Sequence, residues 1–270
     1  MDRDLDCERP GRLEARAGCV DVWLASVPQG GDDPADLAKE LVTPDEFLAA
    51  GRFRRLEDRR RHLVSRALLR TTLSRYGPIP ALEWRFRTGA HGRPAIDPAR
   101  TCGIEFSLAH TDRLVVVAVT AGDTIGVDAE EVRDLPDLDE LAATALTPDE
   151  REALATLPQD RRSVRFLRHW TLKEAWLKAI GLGLALDPRG VAFDLSAPGR
   201  IRLRAPSAPP DRCAWWFSEF GSDGHLVAVA VRRPEEPRAR VFRVDPACAS
   251  PVEDASRPEF VEVCPEFGRA

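Results

Sequence analysis

An internal repeat limits what this chain can fold into more than any other feature of its sequence. Val42-Thr-Pro-Asp-Glu46 reappears as Leu146-Thr-Pro-Asp-Glu150, 104 residues further on. Each copy is a helix start: Thr43 or Thr147 as N-cap, proline at the first helical position, and Glu46 or Glu150 spaced for a capping box. T-P-D-E is favourable capping chemistry anywhere, so convergent capping within one unrelated domain is the competing reading. The offset recurs, however. Gly77 ends a helical stretch from about Glu57 to Tyr76, and Gly181 ends one from about Asp160 to Ile180, each a C′ candidate. Asp21–Val27 falls on Ile125–Glu131 as a first strand. Late in each half lies a β-rich run, Leu114–Val119 or His225–Val231, and short apolar segments around Trp84–Phe86 and Val191–Leu195 complete the pattern. So long a period indicates domain duplication rather than a solenoid. The expected fold class is α+β: two similar α/β halves, roughly 13–121 and 122–233, related by a pseudo-two-fold. A Pro-rich C-terminal tail, 234–270, is expected to be extended or disordered.

Composition removes several function classes. With 43% hydrophobic and 31% charged residues, wholesale disorder is excluded. The N-terminal stretch MDRDLDCERPGRLEARAG has no apolar h-region, which predicts no secretory signal. Apolar runs such as Leu114–Val119 fall far short of the ~18–20 residues a membrane span requires. The six cysteines are scattered without a C-x-x-C pair, unlike a zinc site or a disulfide framework. The expectation is a soluble, cytoplasmic protein with no membrane association. A net charge of −5 opposes general nucleic-acid binding, though not a local basic patch.

The duplication makes the differences between the halves informative. On the first strand, Leu24 and Ser26 become Asp128 and Glu130; on the long helix, Arg70 becomes Glu174 and Ser74 becomes Lys178. Two carboxylates two apart on a strand share a side, and Glu174 and Lys178 four apart share a helix face. If strand and helix pack together, three carboxylates and an ammonium converge. Such a cluster suits Mg²⁺-assisted phosphate chemistry, with lysine neutralising charge on a leaving phosphate. Spacing alone leaves the other reading open, a solvated strand face and a surface Glu–Lys pair. The basic residues bear on the choice. The chain holds 36 arginines and only three lysines, Lys39, Lys173 and Lys178, two of them within six residues. Arginine is a planar fork and lysine a point charge, so this placement points to a need for the ammonium. In the first half, eight arginines between Arg52 and Arg70 face only Glu57 and Asp58. Most must be solvated, but one or two could clamp a phosphate. His110, at the end of the strand-like Ile104–Ala109, is either structural or a ligand contact.

Gly126-Val-Asp128-Ala-Glu130 and, about 40 residues on, Trp170-Thr-Leu-Lys173-Glu174-Ala-Trp-Leu-Lys178-Ala-Ile-Gly181-Leu-Gly183-Leu184 carry a family resemblance. They resemble the paired signatures G-x-D-x-E and W-x-x-K-E-A-x-x-K-x-x-G-x-G-L of the 4′-phosphopantetheinyl transferases. The two-half architecture resembles their single-chain, Sfp type. The helix Glu57–Arg70, the Gly92-Arg93-Pro94 turn and Phe106-Ser-Leu-Ala-His110-Thr111 extend the match over roughly residues 20–233.

The resemblance implies coenzyme A bound between the halves as co-substrate, with Mg²⁺ (or Mn²⁺) on its pyrophosphate. Asp128, Glu130 and Glu174 would be the metal ligands. Arg61 and His110 would hold the nucleotide 3′-phosphate, the His91-Gly92-Arg93-Pro94 turn would contact adenine, and Lys178 would meet the pyrophosphate with Lys173 in support. Glu174 and Lys178 would be the catalytic pair. The reaction implied is transfer of 4′-phosphopantetheine to a serine of an acyl or peptidyl carrier protein domain of a polyketide or nonribosomal peptide synthase, with release of 3′,5′-ADP. A monomer is expected, since the site is complete within one chain. Arg93 replaces the lysine usual in the family turn, and Ala109 replaces a hydroxyl residue, so weaker or rearranged phosphate contacts are expected there. The alternatives are a non-catalytic coenzyme A or carrier-binding module and a metal-dependent phosphohydrolase.

Overall fold

The computed structural model describes residues 13, 15–30, 40–89, 92–100, 103–197, 199–204, 215–244 and 251–253. Its first half runs β1 (Cys19–Ser26), α1 (Pro44–Ala50), α2 (Leu56–Tyr76), β2 (Phe86–Thr88), β3 (Pro94–Ile96), β4 (Ile104–His110) and β5 (Leu114–Ala121). The second runs β6 (Ile125–Glu131), α3 (Leu138–Ala145), α4 (Pro148–Ala155), α5 (Gln159–Ile180), β7 (Ala192–Asp194), β8 (Arg202–Arg204), β9 (Trp215–Ser222) and β10 (His225–Arg232). Apart from α3, the second half repeats the element order of the first. Pairing repeats too: β1 pairs antiparallel with β5 and β5 with β4, as β6 pairs with β10 and β10 with β9. The small hairpins β2–β3 and β7–β8 hold the same place in each half.

Both sequence-predicted capping boxes form. The Thr43 and Thr147 hydroxyls accept from the backbone N–H of Glu46 and Glu150, whose carboxylates accept from the threonine N–H groups in return. Each glutamate also neutralises a cation on the following long helix. Glu46 receives Arg70 Nε at 2.7 Å, and Glu150 receives Lys173 Nζ at 2.6 Å. The repeated T-P-D-E therefore fixes how a short helix docks on a long one. The terminal glycines differ: Gly181 takes the left-handed cap at φ 73°, whereas Gly77 is extended at φ −128°.

The two sheets enclose one apolar layer. Val20, Val22 and Leu24 of β1 and Val116 and Ala118 of β5 share a cluster with Ile125, Val127 and Ala129 of β6 and Val227, Val229 and Val231 of β10. Helix α2 covers the outer face of the first sheet through Val64, Leu69 and Leu73. Helix α5 covers the second through Leu172, Ala175, Trp176 and Ala179. The layers therefore run helix, sheet, sheet, helix.

The tail is more than a draped segment. Residues Arg238–Val244 form β11, parallel to β1, and β12 (Pro251–Glu253) pairs with β11, so the first sheet runs β12-β11-β1-β5-β4. Short, Arg-interrupted apolar spacing hid this strand. Its anchor is a buried network: Phe242 stacks on Trp23 at 4.2 Å, and Arg240 grips Asp21 through two 2.7 Å bonds. The Tyr76 hydroxyl donates to Asp21 at 2.6 Å, and burial beside that carboxylate pushes its pKa up. Removing residues 234–270 strips Phe242 from the core and takes from Asp21 its Arg240 partner, leaving it, among the described residues, only the Tyr76 hydroxyl, at a cost of about 3 kcal/mol or more. Thermal unfolding of the truncated chain should fall by roughly 6 °C or more; an unchanged midpoint would show the strand to be dispensable.

Candidate active site

The glycine of G-x-D-x-E determines the architecture of the site. A Cβ on Gly126 would lie 1.9 Å from the Ala175 carbonyl oxygen and 2.6 Å from the Ala179 nitrogen. Only glycine lets α5 lie directly on β6. Because Ile125, Val127 and Ala129 point into the inter-sheet core, alternation turns Gly126, Asp128 and Glu130 towards α5. On the facing stretch of α5 the side chains from Thr171 to Ala179 are buried except Glu174 and Lys178. Strand and helix thus bring together the four residues expected from the differences between the halves.

Lys178 Nζ donates to Asp128 Oδ1 at 2.7 Å, and Trp170 Nε1 donates to Glu130 Oε1 at 3.0 Å. Asp128 Oδ2 and Glu174 Oε1 are buried and have no hydrogen-bond partner. Burial raises the pKa of Asp128, with Lys178 only partly offsetting it. Burial and the charge of Asp128 raise those of Glu130 and Glu174. A crowded carboxylate set with two orphaned oxygens is chemistry a hard divalent cation would relieve. Among the described residues, though, no three His, Cys, Asp or Glu side chains already form a closed metal cage. These carboxylates would supply only part of a coordination shell. That fits Mg²⁺, which commonly uses one or two carboxylates plus substrate phosphate and water.

Glu174 and Lys178 line a cleft of about 390 Å³ together with Gly181, Gly183, Gly92, Arg93, Pro94 and residues Phe106–Leu108. Both halves contribute, as expected for a site at their interface. Strand β4, whose residues Phe106–Leu108 line the cleft, ends at His110. Burial, then the charge of Arg61, then that of Lys178 hold the His110 imidazole below the usual histidine pKa. Arg61 is itself tied to Asp58 and Asp112, at 2.6 and 2.5 Å. An incoming anion would have to compete with those two carboxylates for its guanidinium.

Three expectations change. Lys173, expected beside the pyrophosphate, is fully buried and donates to Ala145 O, Glu150 and Pro188 O at 2.6–3.1 Å. It binds α5 to α4, and with His169 it overcomes the effect of burial to bring the Glu150 pKa to about 2. The Arg93 guanidinium, expected at the nucleotide, instead donates to three backbone carbonyls, those of Ala179, Phe106 and Ile125. Ala109 faces the inter-sheet core, so the hydroxyl it lacks would not have pointed into the cleft. Gly92 and Pro94 do line the cleft; His91 lies outside the described residues. Sequence reading gave no role to Trp170, which holds Glu130, to Gly126, which sets the helix-to-strand distance, or to Ser107, whose hydroxyl accepts from the Val127 N–H. For Trp170 and Gly126 the signal was present, as fixed positions of the motifs.

Comparison with known proteins bears on the family of the chain. A family model described as the 4′-phosphopantetheinyl transferase superfamily matches residues 124–230. Another, described as 4′-phosphopantetheinyl transferase, N-terminal, matches residues 32–122. The 4′-phosphopantetheinyl transferase HetI of Nostoc sp. is 33% identical over 222 residues, covering 82% of this chain and 90% of that protein. The 4′-phosphopantetheinyl transferase psf-1 of Bacillus pumilus is 31% identical, covering 73% and 81%. The 4′-phosphopantetheinyl transferase Sfp of Bacillus subtilis is 25% identical, covering 73% and 85%. With motifs, cleft and relatives in agreement over most of its length, the chain belongs to the 4′-phosphopantetheinyl transferase family.

Proposed function

We propose that this chain transfers the 4′-phosphopantetheine of coenzyme A to a serine hydroxyl of a carrier protein domain, yielding holo-carrier and 3′,5′-ADP. The partners we infer are acyl or peptidyl carrier domains of polyketide or nonribosomal peptide synthases, and the setting cytoplasmic. The observation that carries the reading is that Asp128 and Glu174 each keep an orphaned carboxylate oxygen, that Lys178 donates to Asp128, and that Glu174 and Lys178 line a cleft shared by both halves. No helix among the described residues is long and apolar enough to cross a membrane.

Asp128, Glu130 and Glu174 would hold Mg²⁺, which when bound neutralises pyrophosphate charge. The chain's own groups do the rest. Glu174, which lines the cleft, would take the carrier serine proton. Lys178 lies beside it, placed to stabilise charge on the departing nucleotide. The serine attacks the β-phosphorus directly. The bond to the nucleotide phosphate breaks, and no enzyme nucleophile is required. His110 and Arg61 at the far end would receive the 3′-phosphate. The halves 13–121 and 122–233 would be related by a pseudo-two-fold, with the site complete in a monomer.

Carrier-dependent release of 3′,5′-ADP tests the reading. Nucleotide should appear in step with apo-carrier consumed and stop when the acceptor serine is changed to alanine. Release without carrier would indicate a phosphohydrolase, and binding of coenzyme A without release a binding module. Arg61→Ala should raise the KM for coenzyme A roughly 10-fold, the cost of one charge-assisted contact, with kcat little changed. An unchanged KM would remove Arg61 from the site.

A further inference from the structure

The two sheets meet along a seam that backbone hydrogen bonds do not close. Strand β4 is the last strand of the first sheet and β6 the first of the second, and no ladder joins them among the described residues. They nevertheless run close, and side chains supply the connection. The Ser107 hydroxyl on β4 accepts from the buried Val127 N–H on β6 at 3.0 Å. Arg93, from the turn leading into β3, reaches across with both terminal nitrogens of its guanidinium. Nη2 donates to Phe106 O of β4 at 3.2 Å and to Ile125 O of β6 at 3.0 Å, while Nη1 donates to Ala179 O of α5 at 2.9 Å. These bonds involve the edge strand of each sheet and the last turn of the helix that carries Glu174 and Lys178. Burial works against the Arg93 charge and lowers its pKa, with Glu105 partly offsetting this.

We propose that Arg93 is a positioning residue: its guanidinium pins β4, β6 and the end of α5 together and so sets the width of the cleft, without binding the nucleotide itself. The chemistry demands arginine. Three carbonyls in three directions match a planar fork with five N–H donors, whereas one ammonium is a compact point donor on a different stem. The lever is short. Ala179 directly follows Lys178 on α5, and Ile125 precedes Gly126, where the helix rests on the strand. Releasing the clamp would let α5 and β6 shift against β4. A misplacement near 1 Å at a reacting centre is enough to cost on the order of 100-fold in rate.

The kinetic consequences rest on the transferase reading; the structural ones do not, and the two can be told apart. Arg93→Ala and Arg93→Lys should be compared with wild type by hydrogen exchange of the free protein. The clamp predicts faster exchange at residues 104–108, 125–129 and 176–180, with β1 and β5 unchanged, to a smaller extent in Arg93→Lys. Unchanged exchange at the seam in a folded variant would overturn the proposal whatever the enzyme's activity. Should Arg93→Ala fail to fold, Arg93→Lys carries the test.

Kinetics with coenzyme A and with 3′-dephospho-coenzyme A give the second readout. A positioning role predicts kcat lower by roughly 10- to 100-fold with either substrate and an unchanged preference between them. A phosphate ligand would instead leave kcat intact and erase the preference for the 3′-phosphate, which would overturn the proposal. Absence of turnover by the wild type would contradict the transferase reading and leave the exchange result to decide the clamp.

Discussion

Glu174→Gln should lower kcat by about 10²–10⁴-fold while making the metal-free protein more stable. The two effects share a cause. Glu174 has a buried, unpartnered oxygen, and burial with the nearby Asp128 charge raises its pKa. A folded-state pKa above the unfolded one means that ionisation opposes folding. The penalty is absent below the unfolded value, near pH 4, and fully present once the pH exceeds the raised folded value. The melting advantage of Glu174→Gln over wild type should therefore grow as pH rises from about 4 towards neutrality. Each kcal/mol relieved corresponds to about 2–4 °C. Mg²⁺ should narrow the difference by stabilising the wild type more than the variant, which lacks one of the three carboxylates. Melting curves at several pH values and single-turnover transfer assays check both halves of the expectation. Near-normal turnover would return Glu174 to the surface pair that its spacing with Lys178 also allows.

Gly126→Ala should be severely damaging. The added methyl would stand 1.9 Å from a backbone oxygen, and neither β6 nor α5 has a flexible side chain there to yield. Overpacking of a tight core costs about 1–3 kcal/mol, occasionally more, and relief here requires lifting the helix from the strand. That motion separates Glu174 and Lys178 from Asp128 and Glu130, so activity should fall further than stability, by on the order of 100-fold or more. Any fraction that stays folded should retain coenzyme A affinity at the Arg61–His110 end. Wild-type kcat in Gly126→Ala would show that the helix-to-strand distance does not govern the chemistry.

The repeated helix starts were legible in the sequence because capping is local. Thr43 and Thr147 each declare a helix start within five residues, and the offset between them carried over to the long helices. The site was legible for a related reason. Alternation on a strand and four-residue spacing on a helix put Asp128, Glu130, Glu174 and Lys178 on facing surfaces once the two elements pack. What stayed hidden depends on contacts between residues far apart in the chain. Lys173 stands next to Glu174 in sequence, yet the helical turn between them sends one into the α4 junction and the other to the cleft. Arg93 looks like a phosphate ligand until Ala179 and Ile125 are seen around it. Strand β11 carries no clear alternation because its partners, Trp23, Asp21 and Tyr76, lie more than 150 residues earlier.

We propose that the seam between the two sheets is a phosphopantetheinyl transfer site. Mass spectrometry of apo-carrier domains incubated with the purified protein, coenzyme A and Mg²⁺ tests it most directly. At least one carrier in a panel spanning fatty-acid, polyketide and nonribosomal peptide types should gain the mass of a single phosphopantetheine on its serine, and none should do so with Glu174→Gln at matched times. A panel in which every carrier keeps its apo mass, with folded protein that binds coenzyme A, would contradict the account.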